Sequence, residues 1–191
     1  MKFALPLVLA LFGATFTAHA QELKGDAARG ATLNASCVGC HGITGYQASF
    51  PEVYRVPAIS GQNAKYIVAA LEAYKKGERK HPTMHAMAQT LSEQDIADLA
   101  AYYATHGGET PATAAVPPPP ADVAALLTKG ACASCHGEDF RKPIDGSYPK
   151  IAGQYPDYLF AALKSYKVEN NPQVGRGNAI SVHVTLVPYI A

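Results

Sequence analysis

Four cysteines occur in this 191-residue chain, as two pairs each closed by a histidine: Cys37-Val38-Gly39-Cys40-His41-Gly42 and Cys132-Ala133-Ser134-Cys135-His136-Gly137. Such a set can do four kinds of chemistry. It can cycle between dithiol and disulfide, bind zinc, close structural disulfides, or form thioethers to the two vinyls of haem while the imidazole takes the iron. A dithiol redox centre needs one motif in a βαβ setting and makes no use of the histidine. A zinc site built from all four cysteines would join positions 40 and 132, far outside the usual ligand spacing. Disulfides between cysteines this close make strained local rings. Cys-x-x-Cys-His, present twice, is the attachment pattern of c-type haem. It puts two covalently bound haem c groups on Cys37/Cys40 and Cys132/Cys135, with His41 and His136 as proximal iron ligands.

An electron-transfer haem usually has a second axial ligand, and methionine is the one that raises the potential. Apart from Met1, the methionines are Met84 and Met87, three positions apart and on one face if helical. His81 and His85 are rival ligands that would give a lower-potential bis-histidine site. Spacing leaves Met84 and Met87 level, and filling a core gap is the ordinary role of either.

The elements that must position these residues are repeated. The cysteine motif recurs from 37 to 132, and Pro57-Ala58-Ile59-Ser60-Gly61-Gln62 recurs as Pro149-Lys150-Ile151-Ala152-Gly153-Gln154. Tyr66, Leu71 and Tyr74 match Tyr158, Leu163 and Tyr166 in the same register. Two copies of one structural unit follow, residues 21–106 and 121–191. Between them lies a Gly/Pro-rich linker, 107–120, whose Pro117–Pro120 run makes a stiff spacer that holds the units apart or docks them at a set distance. Asp26 can cap a short helix through Leu33 into the first motif, and Ala64–Lys76 carries Ile67, Val68, Leu71 and Tyr74 on one face before Gly77. Ser92 and Asp95 resemble a capping box for a helix through Tyr103. Asp122–Thr128 and Pro156–Lys167 repeat the first two helices. No alternating strand is expected before residue 181, so the fold class is all-α.

Residues 1–20 read as a cleaved secretory signal: Lys2, an apolar run from Phe3 to Phe16, and Ala18-His19-Ala20. The expected destination is the periplasm, with no membrane span after cleavage. With 16 Lys+Arg against 15 Asp+Glu and a formal net charge of +1, the chain lacks the basic excess of a nucleic-acid binder. Its 48% hydrophobic and 16% charged residues suit a globular protein.

The paired haem motifs, the tandem Pro-to-Gln segments, and Pro82-Thr83-Met84 before Leu91-Ser92-Glu93-Gln94-Asp95-Ile96 together resemble a dihaem cytochrome c of the cytochrome c4 family. The resemblance runs from about Asp26 to Ile180. It implies two tandem class I cytochrome c domains, and it makes the methionine eight positions before the serine of Leu-Ser, here Met84, the axial ligand. It implies that backbone near Pro57 and Pro149 orients the proximal imidazoles. Tyr46, Tyr66 and Tyr74 are candidates to line the pocket or bond propionates, with core packing their default role. The second unit departs from the pattern. Ser181 stands where the family places its axial methionine, no methionine follows His136, and Val182–Val187 alternate like a strand before Pro188. A counterpart of the first unit's last helix is expected to be missing. Either His183 takes the sixth position, or that iron lacks a regular distal ligand.

The function implied is single-electron transfer between respiratory redox proteins, from a quinol–cytochrome c reductase or another dehydrogenase to a haem–copper terminal oxidase. No catalytic residue is expected. Two other readings compete: a cytochrome subunit of a larger oxidoreductase, and an enzyme acting on peroxide or a sulfur compound at an open second haem.

Overall fold

A computed structural model of the chain describes residues 23–106, 118–168 and 170–176. Extended Asp26 starts α1 (Ala27–Leu33) by accepting the Ala28 and Arg29 amides on its carboxylate, which satisfies two of the donors a helix start leaves unpaired. The chain turns at Asn34 into α2 (Ala35–His41), which carries the first cysteine pair. Next comes α3 (Ala64–Lys76), ended at Gly77 with φ +74°, a conformation that costs glycine little and other residues more. Pro82 opens α4 (Pro82–Gln89), where its missing N–H would have had no helical partner. α5 (Glu93–Thr105) begins with the expected capping box, Asp95 reaching back to the Ser92 amide while Ser92 accepts from Asp95. In the second unit follow α6 (Ala121–Lys129), α7 (Ala133–His136) and α8 (Pro156–Ser165). α8 stops two residues before the expected Lys167, at a turn through Tyr166.

The core lies in the first unit, where Ile67, Leu99, Ala100 and Tyr103 pack against Leu33, Cys37, Val68 and Leu71. α1 crosses α5 at Gly30, so closely that a Cβ there would collide with the Asp98 carbonyl and lie 2.7 Å from the Tyr102 Cβ. Under the crossing sits Asp98, with no exposed surface. Its carboxylate accepts the Asp26 amide (2.7 Å), the Gln94 amide (2.8 Å) and the Arg29 guanidinium. These bonds tie the cap of α1 to α5 and so hold the approach to the cysteine motif.

Among the described residues the second unit has no counterpart of α5, and every buried hydrophobic side chain belongs to the first unit. Ser181, His183 and the rest of 177–191 lie outside the described residues, as do the signal segment and linker positions 107–117. Val123 of α6 is 39% exposed.

Four short strands occur where none was expected. β1 (Gln47–Ala48) pairs antiparallel with β2 (Tyr54–Arg55), and β3 (Arg79–Lys80) with β4 (Gly175–Arg176). Two residues per strand are too few to show alternation, and the β3–β4 ladder joins residues from different units, so no local pattern announces it. The all-α class stands.

The two units are docked rather than held apart. Beyond the β3–β4 ladder, Asp157 accepts the Arg55 backbone N–H and its Nε, each at 2.9 Å, and the Arg55 guanidinium lies 4.7 Å from the Tyr155 ring centroid. The Gly45 amide donates to Tyr155 Oη (3.0 Å), and Asn63 Nδ2 to the Tyr148 carbonyl (3.0 Å).

Candidate haem sites

Cys37 and Cys40 lie on α2, three positions apart and so on one helical face, with His41 closing the helix. Cys132 caps α7, which carries Cys135 and His136. All four thiols are free. Burial pushes the Cys132 thiol above its usual pKa, the opposite of what an exchange-active thiolate needs. No cluster of three or more His, Cys, Asp or Glu side chains suited to a metal ion occurs among the described residues, which leaves zinc without a site there.

The histidines are held alike. His41 Nδ1 lies 2.8 Å from the Pro57 carbonyl oxygen, and His136 Nδ1 lies 2.9 Å from that of Pro149. A carbonyl only accepts, so each Nδ1 carries a proton, and in the neutral ring Nε2 then presents its lone pair, the tautomer an iron ligand requires. Burial, and after it the charge of Arg79, lowers the His41 pKa despite the Pro57 bond, so the ring is neutral at neutral pH. Two thiols on one face and an imidazole of fixed tautomer, in both units, fit covalent haem.

These sites sit in a chain whose relatives are known. The cytochrome c family model matches residues 27–106 and 120–185. Cytochrome c4 of Azotobacter vinelandii is 30% identical over 184 residues, covering 87% of this chain and 83% of the relative. That of Pseudomonas aeruginosa is 31% identical over 173 residues, covering 87% and 81%. The chain belongs to the cytochrome c family, with the dihaem cytochromes c4. The crystal structure of reduced recombinant cytochrome c4 from Pseudomonas stutzeri shares its fold, with a TM-score of 0.59 at 24% identity, over 86% of this chain and 90% of that one. This cytochrome is therefore an electron carrier with two covalent haem c groups in tandem domains.

Around the cofactors the cytochrome places the other candidates on α4. Met84 stands in its first turn and Met87 in the next, both partly buried. His81 caps the helix by accepting the Met84 amide on Nδ1 (3.4 Å), which puts its own proton on Nε2, the wrong tautomer for ligation. The His81 pKa is lowered by burial first and then by the charge of Arg79. His85 donates Nδ1–H to the Tyr74 carbonyl (2.6 Å) and so turns toward the end of α3.

Arg79 and Arg176 had no signal in the sequence, because their partners are brought together only by docking. They stand opposite one another in the β3–β4 ladder and both reach Tyr158 Oη, at 2.8 and 3.2 Å. Each repeats one pattern within its unit: Arg79 bonds Tyr66 and lies over the Tyr74 ring, while Arg176 bonds Tyr158 and lies over the Tyr166 ring. A cavity of about 40 Å3 opens here, lined by Tyr54, Tyr74, Arg79, His81, Tyr158 and Arg176 among others. Glu52 is the one carboxylate among its described lining residues, and it pairs with Lys164 (3.4 Å). The seam is cationic. Burial alone would raise the Tyr158 pKa, but the charges of Arg79 and Arg176 outweigh it and bring it down to about 8. Of the tyrosines expected at the pocket, Tyr74 lines this cavity, Tyr66 accepts from Arg79, and Tyr46 is 40% exposed.

Proposed function

We propose that this cytochrome passes single electrons between periplasmic redox proteins, with His41 and His136 as proximal ligands and Met84 as the distal ligand of the first iron. The observation that carries the reading is the repeated tautomer lock, Nδ1–H on a proline carbonyl beside a Cys-x-x-Cys pair, in both units. When bound, haem supplies an iron that cycles between ferric and ferrous states. The chain's residues tether it, offer a neutral imidazole, and surround it with apolar side chains and a cationic seam suited to its acidic substituents. Met84 is favoured over Met87 because it stands eight positions before Ser92 of the Leu91-Ser92 pair, where the resembled family has its ligand methionine. The second iron has no methionine partner, since Ser181 holds the position where the family's methionine falls, and it either lacks a regular distal ligand or takes His183. The domains run 21–106 and 121–191 around the linker, after removal of residues 1–20. The described residues include no helix long and apolar enough to cross a membrane. Donor and acceptor are a membrane quinol–cytochrome c reductase and a terminal oxidase.

The test is a redox titration of purified protein with haem counting by mass spectrometry. The expected result is two haems and one methionine-to-iron charge-transfer band, lost in Met84→Ala and kept in Met87→Ala. A band that survives Met84→Ala, or a colourless protein with disulfides or zinc, overturns the reading.

A further inference from the structure

The proline carbonyl that holds each proximal histidine belongs to a planar peptide group whose other end, the N–H, is gripped from the opposite unit. In the first unit the group is Pro57–Ala58. Its oxygen accepts from His41 (2.8 Å), and the Ala58 N–H donates to Gln154 Oε1 of the second unit (3.1 Å). In the second unit it is Pro149–Lys150. Its oxygen accepts from His136 (2.9 Å), and the Lys150 N–H donates to Gln62 Oε1 of the first unit (2.9 Å). Each glutamine also donates Nε2–H to the next carbonyl of the same segment, Gln154 to Ala58 (2.8 Å) and Gln62 to Lys150 (3.0 Å). Each amide oxygen is fixed further by the following backbone amide, Asn63 to Gln62 (2.9 Å) and Tyr155 to Gln154 (3.0 Å). Gln62 is 7% exposed.

We infer that Gln62 and Gln154 are crossed positioning residues, each setting the proximal hydrogen bond of the haem in the other unit. Hydrogen bonds in a chain polarise one another, so accepting from one end of a peptide group makes the oxygen at its other end a better acceptor. A stronger bond to Nδ1–H makes the imidazole a more basic ligand, which favours ferric over ferrous iron. The docked interface is thus an electronic contact as well as a structural one. Whatever separates or shifts the units, a redox partner wedged at the seam included, changes both proximal ligands together.

This inference rests on His41 and His136 being the proximal ligands. The experiment uses the full-length dihaem protein and follows each haem separately through its own NMR methyl resonances during a redox titration. Gln154→Leu is expected to raise the first haem's potential and leave the second near its native value. Gln62→Leu is expected to do the reverse. The shift should correspond to roughly three- to tenfold in the ferric/ferrous equilibrium, tenfold being 59 mV for one electron. Gln→Met, closer to glutamine in shape, serves where leucine lowers haem content. Shifts on the haem of the mutated unit, equal shifts on both haems, or no shift overturn the inference. His41→Ala and His136→Ala, measured alongside, test the ligand reading itself. If these keep the native haem spectra the ligand assignment fails, and if they lose them while the glutamine variants show no crossed shift, the crossed role alone fails.

Discussion

Replacing Asp98 tests what holds the first haem domain together. Asp98→Ala removes the acceptor of three donors: the Asp26 N–H at 2.7 Å, the Gln94 amide at 2.8 Å, and the Arg29 guanidinium. The donors differ in what they lose. The Arg29 side chain is 47% exposed, so water replaces the carboxylate at little cost. The Asp26 N–H is fixed in the backbone at the start of α1 and aimed at the buried carboxylate, and leaving such a group unsatisfied costs about 1–3 kcal/mol. With the void left beneath the helix crossing, the total is ~2–4 kcal/mol, well above the loss from Arg29→Ala, whose solvent-screened ion pair contributes little. At ~4–8 °C per kcal/mol for a domain of this size, Asp98→Ala should lower the melting temperature of the first unit by about 10 °C or more. The assay is thermal unfolding of the dihaem protein followed by far-ultraviolet circular dichroism. If Arg29→Ala proves as damaging as Asp98→Ala, the stability lies in the exposed ion pair and the reasoning fails. A loss of less than ~0.5 kcal/mol in Asp98→Ala refutes it as well.

Three further outcomes follow from the same geometry. Burial would raise the Asp98 pKa, but the bonds from Asp26, Gln94 and Arg29 outweigh it and hold it below the usual carboxylate value, while the Ser92 hydroxyl and amide and then Arg29 bring Asp95 to about 2. The unfolded chain thus binds protons that the folded chain refuses, so this stability is present above about pH 4 and is lost as pH falls toward 2; acid titration monitored by circular dichroism should show that loss reduced in Asp98→Ala. Gly30→Ala should destabilise by ~1–3 kcal/mol in denaturant melts, because its Cβ forces α1 off the Asp98 carbonyl, whereas Ala125→Gly, at the matching position of α6, should cost only the ~1 kcal/mol of a helical glycine. An ultraviolet pH titration should find one tyrosine ionising near pH 8 that is absent from Tyr158→Phe, and Arg79→Gln should move that ionisation upward by removing one of the two charges that favour the phenolate.

The sequence alone determined the chemistry and most of the local structure. Cys-x-x-Cys-His sets thiols and imidazole within one helical turn, so the attachment geometry needs nothing from the rest of the chain. The Asp26 cap, the Ser92–Asp95 box and the Gly77 stop are legible for the same reason, since each donor meets an acceptor a few residues away. The repeat of 37–42 at 132–137 disclosed two units, and the resemblance it supported placed the proline segments beside the imidazoles. What the tertiary structure alone decided is how the units touch. Arg79 and Arg176 share Tyr158, and Gln62 and Gln154 each grip the backbone segment that holds the other unit's histidine, over sequence separations of 88 and 96 residues. Short-range patterning carries no record of such pairs. A repeated Gly-Gln looks the same in sequence whether its amide meets water, its own unit or its neighbour, and only docking supplies the peptide N–H that gives it a role.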